Sequence, residues 1–242
     1  IFMNAEKHPT CASCPVPLPE RACMNRKGRG PDNCPTLMQS ELKDQALAEQ
    51  NRTATLEFAR QASLQETAGY INRDLGYSRL QAAKPRIRET VELASRMKYK
   101  RLGLAFCAGL AGEAEVVQEI LETNGFEVVS AICKLGRVPK SKLGLDQNEH
   151  IDTQAEEEAM CNPILQAYLL NHFQTEFNIL LGLCVGHDSL LIQHVRAPCT
   201  VLAAKDRLLG HAPLAAIYTY NSYYRYLKQP LFTAKKEESD GS

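Results

Sequence analysis

The chain has 242 residues, of which 44% are hydrophobic, and its 28 lysines and arginines are balanced by 28 aspartates and glutamates. That length suits one large globular domain, or one domain with a small appendage. Zero formal net charge argues against a nucleic-acid partner, and the lack of a charge block or of an apolar run of ~18 residues argues against a membrane one.

Residues 1–36 read as a cysteine-rich knuckle. Pro9, Pro15, Pro17, Pro19, Pro31, Pro35, Gly28 and Gly30 exclude long regular elements, and there is too little apolar material for a core. A bound metal would supply the missing stability. Residues 37–98 look helical, with Leu37, Leu42, Leu47, Leu56, Ala59 and Leu64 at roughly helical spacing. A second helix is expected over Ala68 to Leu80. A third starts at Pro85, a suitable first-turn residue, with Ile87, Val91 and Ala94 on one face.

From residue 101 strands and helices alternate. Strands are expected at Arg101–Cys107, Phe126–Cys133, Phe177–Cys184 and Thr200–Ala204. Helices are expected at 112–123, closed by Asn124-Gly125, at 163–173, capped by Asn162, from Asp188, and from Pro213 to about Tyr218. Between them Lys134–Met160 is a polar stretch. The tail from Lys235 is charged and expected to be disordered. This is an α/β pattern: a mostly parallel sheet of about four or five strands covered by helices. The expected organisation is a knuckle at 1–36, a helical segment with the α/β domain at 37–230, and a tail at 231–242.

The nine cysteines fall into two groups. The first is Cys11-x2-Cys14-x8-Cys23-x10-Cys34. Two residues between Cys11 and Cys14 let one metal take both sulfurs from a tight turn, and the other two would complete a four-sulfur shell. Zinc accepts such a shell, and so does an iron–sulfur cluster; zinc is preferred here. Two structural disulfides, or free thiols in an arm, are the alternative.

The second group is Cys107, Cys133 and Cys184, each ending an expected strand, with Cys161 just before a capped helix. Ligands of open α/β sheets bind outside the carboxyl ends of the strands, so these four would converge on a shared metal or redox site, with an iron–sulfur cluster as the candidate cofactor. Separate core thiols are the alternative. Cys199, at the start of a strand, reads as a core or surface thiol.

His187, in Gly182-Leu183-Cys184-Val185-Gly186-His187-Asp188-Ser189, is a candidate acid/base or ligand, with Asp188 or Ser189 capping the next helix. Lys205 directly follows an apolar strand and is a candidate for neutralising an anionic substrate. Lys205 and Arg207 together could bind a carboxylate or phosphate at that rim of the sheet; a solvated charged turn is the alternative, and it is preferred for Arg207. His211 would lie near His187 if their strands are neighbours. His8, His150, His172 and His194 read as surface residues, and Tyr218, Tyr220, Tyr223, Tyr224 and Tyr226 as packing or an interface. Dinucleotide, phosphate-loop and G-x-S-x-G fingerprints are absent.

The segments Ala105-Phe106-Cys107-Ala108-Gly109-Leu110, Met160-Cys161-Asn162-Pro163, Gly182-Leu183-Cys184-Val185-Gly186-His187-Asp188-Ser189 and Ala203-Ala204-Lys205-Asp206-Arg207 resemble domain of unknown function 1847. That resemblance covers nearly the whole chain and implies a metal-binding protein, without naming a substrate. A weaker likeness is to desulfidases and reductases whose cluster rests on three cysteines. The activity expected is therefore that of an iron–sulfur-dependent oxidoreductase or a desulfidase-like enzyme; a zinc-stabilised binding module without catalysis is the alternative. The start, Ile1-Phe2-Met3-Asn4, lacks a basic region followed by an apolar core, so no secretory signal is expected. Cysteine clusters in a chain of this type point to the cytoplasm, where thiols stay reduced. A small-molecule or redox partner is expected, and oligomerisation is left open.

Overall fold

The computed structural model describes residues 8–231. The expectation for the charged tail bears on residues 232–242, which lie outside the described residues. The chain forms two compact units, one ending at Ala68 and the other starting at Gly69. The helices that follow the knuckle thus group with it.

In the first unit, short 3₁₀ turns at Cys11–Ser13 and Leu18–Glu20 precede helices α1 (Pro35–Met38), α2 (Ser40–Gln50) and α3 (Thr53–Ala68). Leu37, Leu42, Leu47, Leu56 and Leu64 stay exposed. Their spacing drifts around the helices, so no single stripe can turn inward.

The second unit opens with a two-stranded antiparallel ribbon, β1 (Tyr70–Ile71) and β2 (Gln81–Ala82). A helix was expected over Ala68 to Leu80, and the structure corrects this. Asn72 sits in the left-handed region (φ 61°), which no α-helix can pass through. Helix α4 (Arg86–Arg96) follows with Pro85 as its cap, and Thr90, Val91 and Ala94 are buried.

The alternating part comprises β3 (Arg101–Phe106), α5 (Ala111–Thr123), β4 (Glu127–Ile132), α6 (Pro163–His172), β5 (Phe177–Leu181), α7 (His187–His194), β6 (Cys199–Ala203) and the short α8 (Leu214–Tyr218). All four strands β3–β6 are parallel, in the order β4-β3-β5-β6. The α/β expectation is met. The two central strands are buried: Leu102 to Ala105 in β3 and all of β5. This is the pattern of strands covered on both faces. Side chains alternate across a strand. Ala105 accordingly joins Ala167 and Leu170 of α6 and Leu191 of α7 in one core, while Phe106 faces Ala111 and Ala114 of α5 on the other side. From β3 the chain winds outward to β4, then returns past β3 to β5 and continues to β6. The winding reverses between β3 and β5, and their carboxyl ends form the crevice where such sheets bind ligands.

At the heart of the sheet a polar residue is fixed. Asn178 is fully buried; its Oδ1 accepts from Thr175 Oγ1 at 2.8 Å. A Cβ on Gly103 would run into that Oδ1 and lie 2.9 Å from Leu170 Cδ2. Gly103→Ala is therefore expected to cost about 1–3 kcal/mol as an overpacked core does. The check is a lower urea midpoint at unchanged slope.

Near the end of the described chain, Leu214, Ile217, Tyr218, Tyr223 and Tyr226 are exposed. No helix among the described residues is long and apolar enough to cross a membrane.

Candidate functional site

All nine cysteines are free thiols. In the first unit, Cys11, Cys14, Cys23 and Cys34 line one cavity of about 50 Å³, together with Arg21 and Arg29. Arg21 shapes it from within the loop: Nε donates to Val16 O at 2.8 Å and Nη2 to Cys14 O at 3.2 Å. A Cβ at Gly30 would sit 2.7 Å from Cys34 Sγ, so the absence of a side chain there lets the thiol come close. A cavity of that size is larger than one water needs. Its lining matches the set expected for the knuckle.

In the second unit the parallel register does the assembling. Phe106 of β3 pairs with Ile132 of β4. The next residues, Cys107 and Cys133, therefore end neighbouring strands side by side, on strands roughly 4.8 Å apart. The ladder runs one step further: Cys133 N donates to Phe106 O at 2.9 Å, and Cys107 N to Leu181 O at 3.1 Å. Cys161 is brought in by Asn162, whose N–H donates to Cys133 O at 2.8 Å and whose side chain caps α6. The long excursion at 134–160 delivers it there, folded back on itself by the bridge between Pro139 and Ala159.

Both Cys107 and Cys133 are buried, and Cys161 packs against the same core. The thiols are ordered by their hydrogen bonds. Cys133 gives its proton toward Cys161 and receives hydrogen bonds from Ala108 N, at 3.3 Å, and from Cys107. Donation to Cys161, then burial, push the Cys133 thiol far up. The Cys161 thiol is pulled down to about 7, first by that hydrogen bond and then, against burial, by the charge of Lys134. Cys107 and Cys184 both act on Cys161 electrostatically and oppose its ionisation. The four interior sulfurs therefore share one neighbourhood.

Cys184 departs from its expected place. The strand expected to reach Cys184 stops at Leu181, because Gly182 takes φ 62° and turns the chain. A Cβ there would also collide with Leu110 Cδ1. Cys184 thus lies in the bend leading to α7. Arg207 Nη2 donates to its Sγ at 3.0 Å. Arg207 is exposed in its turn, as expected, and in addition partners a thiol. Lys205 is half-buried, with its stem beside the Gly182 position and Nζ over the Gly109 turn.

His187 opens α7 and is half-buried. Burial first, then the charges of Lys134 and Arg207, hold its imidazole below its ordinary pKa, against Asp188. It therefore faces the same cations as the thiols. Asp188 caps differently than expected. It lies inside α7, and its Oδ1 accepts from Gly186 N and Ser189 N while Gly186 occupies the cap position. His211 is absorbed by its own turn, its Nδ1 accepting from Asp206 N at 3.1 Å. Cys199 starts β6 against the core, and burial raises its thiol.

Two contributors were not singled out from sequence. Lys134 follows Cys133 directly, a cation next to a strand-end thiol. It donates to Ala159 O and pairs with Glu158 at 3.6 Å. Gln166 sits fully buried in α6. Its Nε2 donates to Ala131 O at 2.7 Å and Phe106 O at 3.3 Å, tying together the ends of β4 and β3 just before Cys133 and Cys107.

Among the described residues no three His, Cys, Asp or Glu side chains are already drawn up as a metal cage. The donor chemistry nevertheless fits a thiophilic centre: sulfurs alone, grouped at each of two places.

An open parallel sheet with thiols gathered outside its switch point defines an α/β protein with a cysteine-lined crevice. The chain belongs to the family described as Protein of unknown function (DUF1847), which matches residues 34–202. That match holds Cys34 and the interior cysteines, whereas Cys11, Cys14, Cys23 and the Lys205–Arg207 turn lie outside it. The chain is also similar to an uncharacterized protein of Methanocaldococcus jannaschii, 43% identical over 141 residues, 58% of this chain and 69% of that one. No solved structure matches.

Proposed function

We propose that the protein is a metal-binding redox or sulfur-handling protein of the reducing cytoplasm, working at the crevice where Cys107, Cys133, Cys161 and Cys184 gather. The observation that carries this reading is the strand register that sets Cys107 beside Cys133, with Cys161 hydrogen-bonded to Cys133 and Cys184 in electrostatic reach. Such a sulfur-only donor set is what an iron–sulfur cluster takes. When bound, the cluster would supply electron transfer or a Lewis-acidic iron. The chain's own residues would do the rest. Lys134 favours the Cys161 thiolate, Arg207 holds Cys184 Sγ by a hydrogen bond, His187, held below its ordinary pKa, would accept or release a proton, and Lys205 would offset charge on an anionic substrate.

Anaerobic purification followed by elemental analysis and an absorption spectrum tests this. The expected result is iron with a visible band, most of it lost in Cys133→Ser and Cys161→Ser and kept in Cys199→Ser. A colourless protein without iron after anaerobic reconstitution would overturn it.

The four-thiol cavity of the first unit favours a second reading, a structural zinc in a ligand-binding module. Here one zinc per chain would survive every interior cysteine variant and disappear with Cys11→Ser or Cys34→Ser.

A further inference from the structure

We propose that Lys205 and Arg207 form a binding subsite for a small, doubly charged sulfur oxyanion, held against Cys184 at the carboxyl edge of β5 and β6. The inference rests on the crevice being the working site and names what it takes.

The argument starts from charge. Neither cation has an ion-pairing carboxylate among the described residues, although Asp206 lies between them in sequence. Asp206, between them, spends its Oδ1 on Leu208 N and Leu209 N at 3.1 and 2.9 Å. Asp188 spends its own on Gly186 N and Ser189 N. Glu158 is held by Lys140 at 3.0 Å and by Lys134. The nearby acids are turned away or taken, and two positive charges remain at the rim.

Geometry then sets what can neutralise them. Lys205 and Arg207 are two residues apart, yet they address one bend from two positions. The Lys205 stem passes the Gly182 position, and Arg207 reaches Cys184. An anion between them would meet a planar fork and a point charge. A tetrahedral dianion presents enough oxygens for both; a single carboxylate suits the fork alone. Arg207 already holds Cys184 Sγ at 3.0 Å, so an oxyanion it grips lies against a thiol. Cys184, as its thiolate, would attack the outer sulfur of thiosulfate, forming a persulfide S–S bond while the S–S bond of thiosulfate breaks and sulfite leaves with its electron pair; phosphate has no such step. That chemistry beside the two cations points to the sulfur class.

The test is calorimetric titration of the full chain with thiosulfate, with sulfate and inorganic phosphate as comparisons. The expected result is saturable thiosulfate binding that weakens at least about tenfold in Lys205→Met and in Arg207→Met, the scale of losing a charge-assisted hydrogen bond. Lys205→Arg should restore most of it. Unchanged thermal midpoints would show that the variants fold. Absence of saturable thiosulfate binding, wild-type affinity in either variant, or tighter binding of phosphate than of thiosulfate would each overturn the proposal. Iron is measured on the same samples. A wild-type chain that binds thiosulfate but holds no iron would remove the metal reading and leave this subsite standing.

Discussion

At pH 7 Cys161 of the metal-free protein is expected to react with iodoacetamide several-fold faster than an ordinary thiol, while Cys133 stays unmodified. The reason is the direction of one hydrogen bond. Cys133 donates and Cys161 accepts, so the proton they share belongs to Cys133, and the pKa of Cys161 is about 7 against an ordinary 9.0. The thiolate fraction at neutral pH then rises roughly fifty-fold, and the lower basicity returns roughly eightfold of that in intrinsic nucleophilicity, leaving a net gain of about sixfold. Cys133 is disfavoured twice, by its raised pKa and by burial. The rate for Cys161 should rise with pH and level off above about 7. The same shift bears on stability. A group with a depressed folded pKa stabilises the fold above its ordinary pKa, and that contribution is lost as pH falls through about 7. In Cys133→Ala the donor is gone, and the alkylation profile of Cys161 should move to higher pH. Peptide mapping at several pH values measures all of this. An alkylation rate for Cys161 equal to that of the burial-raised Cys199 would sink the account.

How far such a site can be read from residues alone depends on which relations are local. Cys107 and Cys133 each follow an apolar run, and the end of a run is a local signal. That the two runs pair with Phe106 opposite Ile132 is not, yet the pairing is what brings the sulfurs together. Cys184 was placed at the end of β5 because Ile179-Leu180-Leu181-Gly182-Leu183 is unbroken in hydropathy. Only the positive φ of Gly182 reveals the turn. The ribbon at Tyr70–Ile71 and Gln81–Ala82 falls in a stretch that reads as helix, although an aromatic and a β-branched residue ahead of Asn72 carry a strand-and-turn signal. The reach of exposed Arg207 to a thiol is hidden in the same way, because its partner lies 23 residues earlier, on a connection made neighbourly only by β5 pairing with β6. The first unit is the opposite case. Its four thiols fall within 24 residues, Cys11 to Cys34, and short loops leave them little choice but to face one cavity.

Gln166→Glu should be among the most damaging single changes to the second unit at neutral pH and should recover on acidification. Gln166 is fully buried, and its amide N–H group serves two strand-end carbonyls, Ala131 O and Phe106 O. Its own Oε1 has no partner among the described residues. A carboxylate in its place would put a second acceptor against those carbonyls and bury a charge without a cation. Removing a buried donor leaves a desolvated acceptor at about 1–3 kcal/mol, and an unpaired buried charge adds more, so a loss of roughly 3–5 kcal/mol is expected at pH 7. Burial raises the pKa of the introduced acid in the folded state. Its protonated form is therefore the one that fits, with an O–H replacing the lost donor. Relative to the wild type, the variant should be closest in stability below the ordinary glutamate pKa of about 4.3 and lose ground as pH rises through the raised folded value. Gln166→Leu carries no charge, so its deficit should stay near 1–3 kcal/mol and be flat with pH. Urea unfolding of the three proteins across pH 4–8 separates the cases, and parallel curves for Glu and Leu would contradict the argument. The consequence for the site follows from position. Gln166 ties the ends of β3 and β4 directly before Cys107 and Cys133, so loosening that tie in Gln166→Leu should also slow Cys161 alkylation at pH 7, because the thiol that holds its proton no longer sits in place.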